Sequence, residues 1–222
     1  MMFKKILIAE DHEVINLSIQ QTVKELEIPI VDHVFYCDDA LEKVKKSHRN
    51  NELYELIITD LYYDDDHHPQ TLKNGKEMIA AIKEIQPEVK VIFFSSEHKS
   101  GIIDSLFTDL QIDGFVRKGR NDAKELKKAI NNVFEGKKHL SLDVKNNLKE
   151  LNSYEFTAYD ITLISLLSQG VFQKNIPTYL QNNNIKPNSL SSIEKRLTIL
   201  KEGLKINNNE QLVAFCKDLG LI

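Results

Sequence analysis

Cysteine is scarce in this chain. Its 222 residues include no tryptophan and only two cysteines, Cys37 and Cys216, which lie far apart in apolar surroundings. Two cysteines without a framework spacing exclude a disulfide scaffold. They predict buried thiols in a reducing compartment.

Long apolar runs are also absent. Lys4 and Lys5 are followed only by the short run Ile6 to Ala9 before two acids, which is too little for the core of a signal peptide. No stretch approaches the roughly 20 apolar residues that a helix needs to cross a bilayer. We therefore expect a cytoplasmic protein that makes no contact with a membrane.

The two halves of the chain differ slightly in charge. Residues 1–138 hold 20 lysines and arginines against 25 acids, and residues 139–222 hold 9 against 8. The second half is too weakly positive to predict nucleic-acid binding from charge alone, so such a function must rest on the local placement of basic residues. The length, and a change of pattern near Gly136, favour two domains.

Short apolar runs alternate with amphipathic helical stretches in the first half. The runs are short enough for buried strands: Ile6 to Ala9, Ile30 to Tyr36, Leu56 to Thr59, Val91 to Phe94 and Gly114 to Arg117. The predicted helices are Val14 to Leu26, Ala40 to Ser47, Lys76 to Ile85, Gly101 to Leu110 and Asp122 to Phe134. This alternation predicts an α/β domain with a parallel five-stranded sheet. Right-handed crossovers then place the carboxyl ends of all strands at one edge.

Four of these strands end in polar residues of different kinds. Glu10 and Asp11 follow the first strand, Asp60 the third, Ser95 the fourth and Lys118 the fifth. A carboxylate that attacks a phosphoryl group brings two anions together, so it needs a divalent cation and a fixed positive charge. Carboxylates suit Mg²⁺, Lys118 would pair with the phosphoryl oxygens, and Ser95 would donate a hydrogen bond to them. The pattern therefore predicts a phosphoryl-accepting site.

Each of these residues also has an ordinary interpretation. Asp60 alone is typical of a solvated acid after a strand, and Glu10 with Asp11 would suit the positive end of a helix dipole. Lys118 and Ser95 could each be surface residues. The site interpretation is favoured because the set occurs in order at the same edge of one sheet.

The second half begins with a different pattern. Thr157 and Asp160 predict a capping box before an apolar helix that stops at Gly170. Pro177 cannot lie inside a helix, so a short helix should begin near Asn175.

A longer helix follows a loop rich in turn residues. It should begin at Ser189 or Ser191 and bury one apolar stripe: Leu190, Ile193, Leu197, Leu200 and Leu204. A last helix is predicted from Glu210 to Leu219, with a stop at Gly220. A short helix followed by a longer one is typical of a helix-turn-helix.

The first half resembles the receiver domain of two-component response regulators, which has the flavodoxin-like (βα)5 fold. The resemblance rests on Glu10-Asp11 after Ile-Leu-Ile-Ala, Asp60 after Ile57-Ile58-Thr59, Ser95 after Phe93-Phe94, and Lys118 after Gly114-Phe115-Val116-Arg117. It implies that Asp60 is phosphorylated by a sensor histidine kinase or a phosphotransfer protein.

The same resemblance implies a role for the residues around Asp60. Mg²⁺ would be held by Glu10, Asp11, Asp60 and the backbone carbonyl of Tyr62. Ser95 and Phe115 would be the hydroxyl and the aromatic ring that reorient on phosphorylation.

Three features depart from the receiver pattern. Lys118 is followed by Gly119 instead of the usual proline, and Glu10 stands where aspartate is common. The segment from Leu61 to Asn74 is longer than usual and carries the run Asp64-Asp65-Asp66-His67-His68-Pro69. This segment could bind a second metal or tune the choice of kinase, but adjacent histidines and a proline favour a solvated excursion.

Residues 153–222 resemble the LuxR-type helix-turn-helix output domain of the NarL/FixJ class of response regulators. The match runs through Phe156-Thr157, Asp160, Leu166 to Gly170, Lys174, Ile176, Leu180, and Ser192 to Leu200. It implies that Glu194, Lys195 and Thr198 face base edges of double-stranded DNA. Lys174, Arg196 and Lys201 would contact phosphates.

The expected organisation is a receiver domain over 1–138, a linker over 139–152 and a helix-turn-helix domain over 153–222. The expected function is a DNA-binding response regulator, not an enzyme, that dimerises when Asp60 is phosphorylated. One alternative is a phosphorylation-independent regulator or adaptor whose C-terminal domain binds protein. Another is an aspartate-nucleophile phosphatase, although Tyr62 occupies the place where such enzymes want a second aspartate.

Overall fold

The computed structural model describes residues 2–142, 144–145 and 156–222. The chain divides into two units: Met1–His98 with Ile103–Lys145, and Lys99–Ile102 with Asn146–Ile222. Among the residues so described, no helix is both long and apolar enough to cross a membrane.

A parallel sheet forms the centre of the first unit. Its strands are β1 (Lys5–Ala9), β2 (Ile30–Val34), β3 (Leu56–Thr59), β4 (Lys90–Ser95), β5 (Gly114–Arg117) and β6 (His139–Leu140). They lie in the order β2-β1-β3-β4-β5-β6, and every neighbouring pair is parallel. All strands therefore present their carboxyl ends at the same edge, as the alternating pattern predicts.

Four helices connect the first five strands in turn, and a fifth helix follows β5. They are α1 (Glu13–Lys24), α2 (Cys37–Arg49), α3 (Gly75–Ile85), α4 (Ser100–Asp109) and α5 (Asp122–Phe134). The predicted bounds of β3, β5 and α5 are confirmed, and the other helices and strands differ at one or both ends. The largest shift is at α2, which begins three residues early because Asp38 and Asp39 suit its first turn.

Both faces of the sheet are buried. On one face, Ile6, Ile8 and Ile58 pack with Ile19 of α1 and Ile130 of α5 in a core cluster. Residues that alternate with these along the strands point to the opposite face and are also buried: Leu7, Ile57, Val91, Phe93 and Phe115. This two-sided burial explains why the strands read as continuous apolar runs.

The sixth strand corrects the predicted count of five. The His139 amide donates to the Asp113 carbonyl at 2.9 Å, and the Ser141 amide donates to the Phe115 carbonyl at 3.1 Å. The start of the predicted linker thus extends the sheet beside β5. Of that predicted linker, residue 143 and residues 146–152 lie outside the described residues.

The second unit is helical. It contains α6 (Ala158–Ser168), a 3₁₀ turn (Gln173–Asn175), α7 (Ile176–Asn182), α8 (Leu190–Leu204) and α9 (Asn209–Asp218). A single core cluster holds residues from all four of these α-helices, including Leu163, Leu180, Leu197 and Leu212. The predicted short and long helices of a helix-turn-helix are therefore confirmed as α7 and α8.

Local signals in this unit act as predicted. Thr157 and Asp160 form a reciprocal capping box at the start of α6, and Gly170 follows that helix with φ +80°. Pro177 lies in the first turn of α7. Ser189, and not Ser191, caps α8 by accepting a hydrogen bond from the Ser192 amide.

Gly75 at the start of α3 is a sensitive point of the fold. A Cβ atom there would lie 2.0 Å from the Asp60 carbonyl oxygen and 3.0 Å from the Phe93 ring. Since one of these neighbours is backbone, we expect Gly75→Ala to cost about 3 kcal/mol or more in free energy of unfolding, the upper end of overpacking effects. Urea unfolding followed by circular dichroism measures this cost.

Gly119→Ala is the matched control. Nothing lies within 4 Å of a Cβ built on Gly119, so its free energy of unfolding should stay within about 0.5 kcal/mol of the wild type. Equal stabilities for the two variants would contradict the close approach of α3 to Asp60.

Candidate functional site

The carboxyl ends of four strands bring the predicted site residues of the first unit together. Ala9 pairs with Thr59, Thr59 with Phe93, and Ser95 with Arg117 in the sheet register. Each pair lies next to a predicted site residue, so Glu10, Asp60, Ser95 and Lys118 emerge at one edge. The Lys118 amide also donates to the Ser95 carbonyl at 2.8 Å, which extends the ladder between β4 and β5.

Lys118 lies between two carboxylates. Its Nζ is 2.6 Å from Asp60 Oδ2 and 2.9 Å and 3.1 Å from the two oxygens of Glu10. The side chain of Glu10 is fully buried, and those of Asp60 and Lys118 are only 7% and 13% exposed. Little solvent therefore screens these charges from one another.

Glu10 bears the electrostatic cost of this arrangement. Desolvation raises the pKa of Glu10 above its usual range and outweighs the hydrogen bond and the charge of Lys118, while nearby Asp60 raises it further. Two carboxylates therefore compete for one ammonium group in a poorly solvated place. Such a group of charges gains from any further cation.

The two carboxylate oxygens of Asp60 have different partners. Its Oδ1 accepts hydrogen bonds from the amides of Leu61 at 2.5 Å and Tyr62 at 3.4 Å. Its Oδ2 points to Lys118. Because Oδ1 takes the backbone donors, Oδ2 is the oxygen that is oriented toward the other charged groups.

Ser95 presents a buried hydroxyl without a hydrogen-bond partner among the described residues. The residue is fully buried. An unpaired buried hydroxyl costs free energy, so native structures seldom keep one without a reason. Phe115 on the neighbouring strand β5 is also fully buried, and it pairs with Phe93, two residues before Ser95.

A histidine adjoins the acidic pair at the end of β1. One ligand atom from each of Glu10, Asp11 and His12 lies within 4.8 Å of the others. His12 Nδ1 is 3.0 Å from Asp11 Oδ1. Desolvation would lower the pKa of His12, but the carboxylates of Asp11, Glu10 and Asp64 raise it.

The response regulator receiver domain family matches residues 6–163, which is more than half of the chain. The chain belongs to this family.

Solved structures support the fold of this receiver protein over its whole length. A structure of two RcsB dimers bound to two parallel DNAs aligns with 99% of this chain and 100% of that chain, at 20% identity and a TM-score of 0.67. RcsB from Salmonella enterica serovar Typhimurium, bound to promoter rprA with the phosphomimetic BeF3-, aligns with 97% and 99% of the two chains at 19% identity and a TM-score of 0.63.

A LuxR-family response regulator from an Aurantimonas species covers a smaller part. It aligns with 69% of this receiver protein and 100% of its own chain, at 16% identity and a TM-score of 0.59. At such identities the likeness is one of fold. No curated protein matches the chain.

The long segment after Asp60 in this receiver protein carries contacts that sequence reasoning missed. The Tyr62 hydroxyl donates to Glu97 Oε2 at 2.5 Å, and burial together with this hydrogen bond raises the pKa of Tyr62 to about 12. Glu97 is almost fully buried in the segment after β4. No spacing signal links these two positions, because the contact depends on the tertiary approach of two loops.

The Tyr62 backbone carbonyl remains a predicted metal ligand. Tyr62 forms an isolated antiparallel bridge with Asn74. This bridge closes the segment from Leu61 to Asn74 at its base, next to Asp60.

The second unit exposes most of the residues predicted to contact DNA. Lys174 lies in the 3₁₀ turn with its Nζ 5.8 Å from the exposed Phe172 ring. On α8, Glu194, Lys195 and Thr198 are exposed and Lys201 is partly exposed. These residues lie beside the buried apolar stripe and form a polar helix face that is exposed to solvent.

Arg196 has a different role in the structure. Its guanidinium donates to both oxygens of the fully buried Asp160 carboxylate, at 2.6 Å and 2.7 Å. Desolvation would raise the pKa of Asp160, but hydrogen bonds from Arg196 and Thr157 hold it below its usual value. The predicted phosphate contact of Arg196 is untested, while this ion pair ties α8 to the start of α6.

We expect Arg196→Gln to destabilise the helical unit by about 2–3 kcal/mol, because it leaves the buried Asp160 charge with a weaker partner. Arg196 is 30% exposed, which keeps the cost below that of a fully buried pair. Labelling of the buried Cys216 thiol during a urea titration reports unfolding of this unit, with buried Cys37 as a reference in the first unit.

The loss of stability caused by Arg196→Gln should also depend on pH. Because the folded-state pKa of Asp160 is depressed, its contribution is present above the unfolded value of about 4 and is lost as pH falls through the folded value. The difference between wild type and Arg196→Gln should therefore shrink in acid. Lys195→Gln, which changes an exposed neighbour, is the control and should leave Cys216 labelling unchanged.

Proposed function

We propose that this receiver protein is a DNA-binding response regulator whose Asp60 accepts a phosphoryl group from a sensor histidine kinase or a phosphotransfer protein. The observation that carries the proposal is the placement of Lys118 Nζ within 3 Å of both Asp60 and Glu10. The unpartnered hydroxyl of Ser95 at the same edge supports it. We propose that the protein is cytoplasmic and catalyses no reaction on a separate substrate.

The transfer is a displacement at phosphorus. Asp60 Oδ2 forms a bond to phosphorus as the bond to the donor's imidazole nitrogen or acetate oxygen breaks, and the leaving group takes the electron pair. Lys118 then pairs with a phosphoryl oxygen in place of the carboxylate oxygen, and Ser95 Oγ donates to another. Both groups stand where charge develops, so they stabilise it without large rearrangement.

The donor set fits Mg²⁺. Glu10, Asp11 and Asp60 offer carboxylate oxygens, with one ammonium among them, and the buried charge on Glu10 is not fully compensated. Hard oxygen ligands of this kind suit Mg²⁺. When bound, the ion would neutralise charge on the carboxylates and on the transferring phosphoryl oxygens.

The helical unit supplies the proposed output. Its α7 and α8 have the lengths and order of a helix-turn-helix, and α8 leaves Lys195, Thr198 and Glu194 exposed for base edges. Lys174 and Lys201 would contact phosphates. The whole-length likeness to RcsB, which was solved on DNA, supports this assignment.

Phosphorylation would act through the strand ends. A phosphoryl group adds charge and acceptor oxygens beside Ser95, which would draw that hydroxyl and Phe115 into a new arrangement. The resulting change at the surface near β5 would promote a homodimer suited to paired DNA half-sites. We also propose the division into receiver, linker and helix-turn-helix domain, with the receiver extended from residue 138 through Ser141 because of β6.

The alternative function is an adaptor whose helical unit binds protein without phosphorylation. Glu194 favours it, because an exposed acid on α8 repels phosphates. The two tests that follow distinguish this alternative from the proposal.

We expect acetyl phosphate with Mg²⁺ to add one phosphoryl group per chain and Asp60→Asn to abolish the addition, because an amide cannot act as the nucleophile. Intact-mass spectrometry measures both. Asp65→Asn is the control, since Asp65 lies exposed in the long segment and should leave labelling unchanged. Labelling of Asp60→Asn would overturn the acceptor assignment.

For DNA binding we expect affinity for a random-sequence duplex to fall steeply as salt rises from about 50 to 200 mM. Lys174→Ala should weaken binding and reduce the slope of log affinity against log salt by about one. Fluorescence anisotropy with the beryllofluoride-treated protein measures the slope. Lys217→Ala on α9 is the control.

Absence of binding by the beryllofluoride-treated wild type would favour the adaptor. A slope unchanged in Lys174→Ala would remove that residue from the DNA interface.

A further inference from the structure

The long segment after Asp60 is fastened to the neighbouring loops and is not a free excursion. Asp38 at the start of α2 accepts hydrogen bonds from the amides of Thr71 at 2.7 Å and Leu72 at 3.0 Å. The Cys37 amide donates to Gln70 Oε1 at 3.1 Å. The far end of the segment is therefore attached to α2, although many of its side chains are exposed.

Tyr63 lies at the end of the segment nearest Asp60, and its side chain reaches the carboxyl ends of β1 and β3. Its hydroxyl donates to the Ala9 carbonyl at 2.7 Å and lies 2.9 Å from Thr59 Oγ1. Thr59 Oγ1 is in turn 2.8 Å from the Asp60 carbonyl. Ala9 directly precedes Glu10, and Thr59 directly precedes Asp60. The Tyr63 hydroxyl therefore contacts the residue before each of these two carboxylates.

The environment keeps this phenol a neutral donor. Desolvation is the largest of several effects that raise the pKa of Tyr63 well above its usual value. Because each partner is backbone or a buried threonine, the link is not shared with mobile side chains.

The next residue orients Asp11. The Asp64 amide donates to Asp11 Oδ2 at 2.7 Å, and His12 Nδ1 is 3.0 Å from Asp11 Oδ1. Both oxygens of Asp11 thus have a fixed neighbour, one of them from the long segment. Tyr63 contacts the residues before Glu10 and Asp60, and Asp64 contacts Asp11 itself. Together the two residues therefore reach all three carboxylates that are proposed to bind the metal.

We propose that Tyr63 is a positioning residue of the acceptor site: its hydroxyl fixes the ends of β1 and β3 so that Glu10, Asp11 and Asp60 converge before a cation binds. This inference rests on the proposed function, because it assigns these carboxylates to Mg²⁺. Groups of this kind, which orient the ligands of a metal, commonly change affinity by about 10–100-fold when they are removed.

The test is Tyr63→Phe, which removes one oxygen and keeps the ring. We expect Mg²⁺ affinity, measured by isothermal titration with magnesium chloride, to fall by about tenfold. Labelling by acetyl phosphate at subsaturating Mg²⁺ should slow in proportion and should recover when Mg²⁺ is raised. Recovery of this kind separates a loss of metal positioning from general damage to the fold.

Tyr54→Phe is the matched control. The Tyr54 hydroxyl also donates to one partner, Asp32 Oδ2 at 2.6 Å, but it precedes β3 at the opposite end of the strand. Its removal should lower stability to a similar extent, measured by thermal unfolding, and leave Mg²⁺ affinity unchanged.

The outcomes separate this inference from the proposed function. Equal Mg²⁺ affinity in Tyr63→Phe and Tyr54→Phe, with normal binding by the wild type, would overturn the role of Tyr63 alone. A wild type that neither binds Mg²⁺ nor accepts a phosphoryl group would overturn the acceptor site, and the role of Tyr63 with it.

Discussion

The ammonium group of Lys118 lies between two carboxylates that would otherwise repel each other in a place with little water. Its contacts with Glu10 and Asp60, both shorter than 3 Å, join residues that are 108 and 58 positions apart in sequence. The meeting is only achieved because a parallel sheet with both faces buried brings β1, β3 and β5 to the same edge. The apolar core and the charged edge therefore depend on each other, because the burial that stabilises the sheet also leaves the charges poorly screened by solvent.

Much of the first unit follows from periodicity, since short β-rich runs and amphipathic stretches of the right length define a βα alternation. β3, β5 and α5 have the predicted bounds because their apolar runs end abruptly at polar or turn residues. β6 could not be predicted in this way. His139 and Leu140 show no apolar run, and they form a strand because β5 offers unpaired backbone groups to a chain that passes beside it.

The candidate site divides along similar lines. Residue type and position at a strand end suffice to predict that Glu10, Asp60, Ser95 and Lys118 meet, but they do not show which oxygen faces which donor. Arg196 illustrates the limit. Its place on α8 indicates an exposed basic residue, whereas its actual partner is a buried carboxylate on a helix 36 positions earlier in the chain. Tyr63 is a second case, because a tyrosine in a polar loop gives no sign that its hydroxyl reaches the backbone of another strand.

The pairing of β6 with β5 also determines where the receiver unit ends. Ser141 donates its amide to the Phe115 carbonyl and accepts the Arg117 amide on its hydroxyl at 3.1 Å, so the outer edge of β5 is occupied almost to Lys118. A fragment cut where the regular alternation of strands and helices stops would leave those groups bare beside the aromatic residue and the lysine of the acceptor site. An isolated receiver therefore needs the residues through Ser141, and its exposed strand edge would otherwise be open to pairing with another chain.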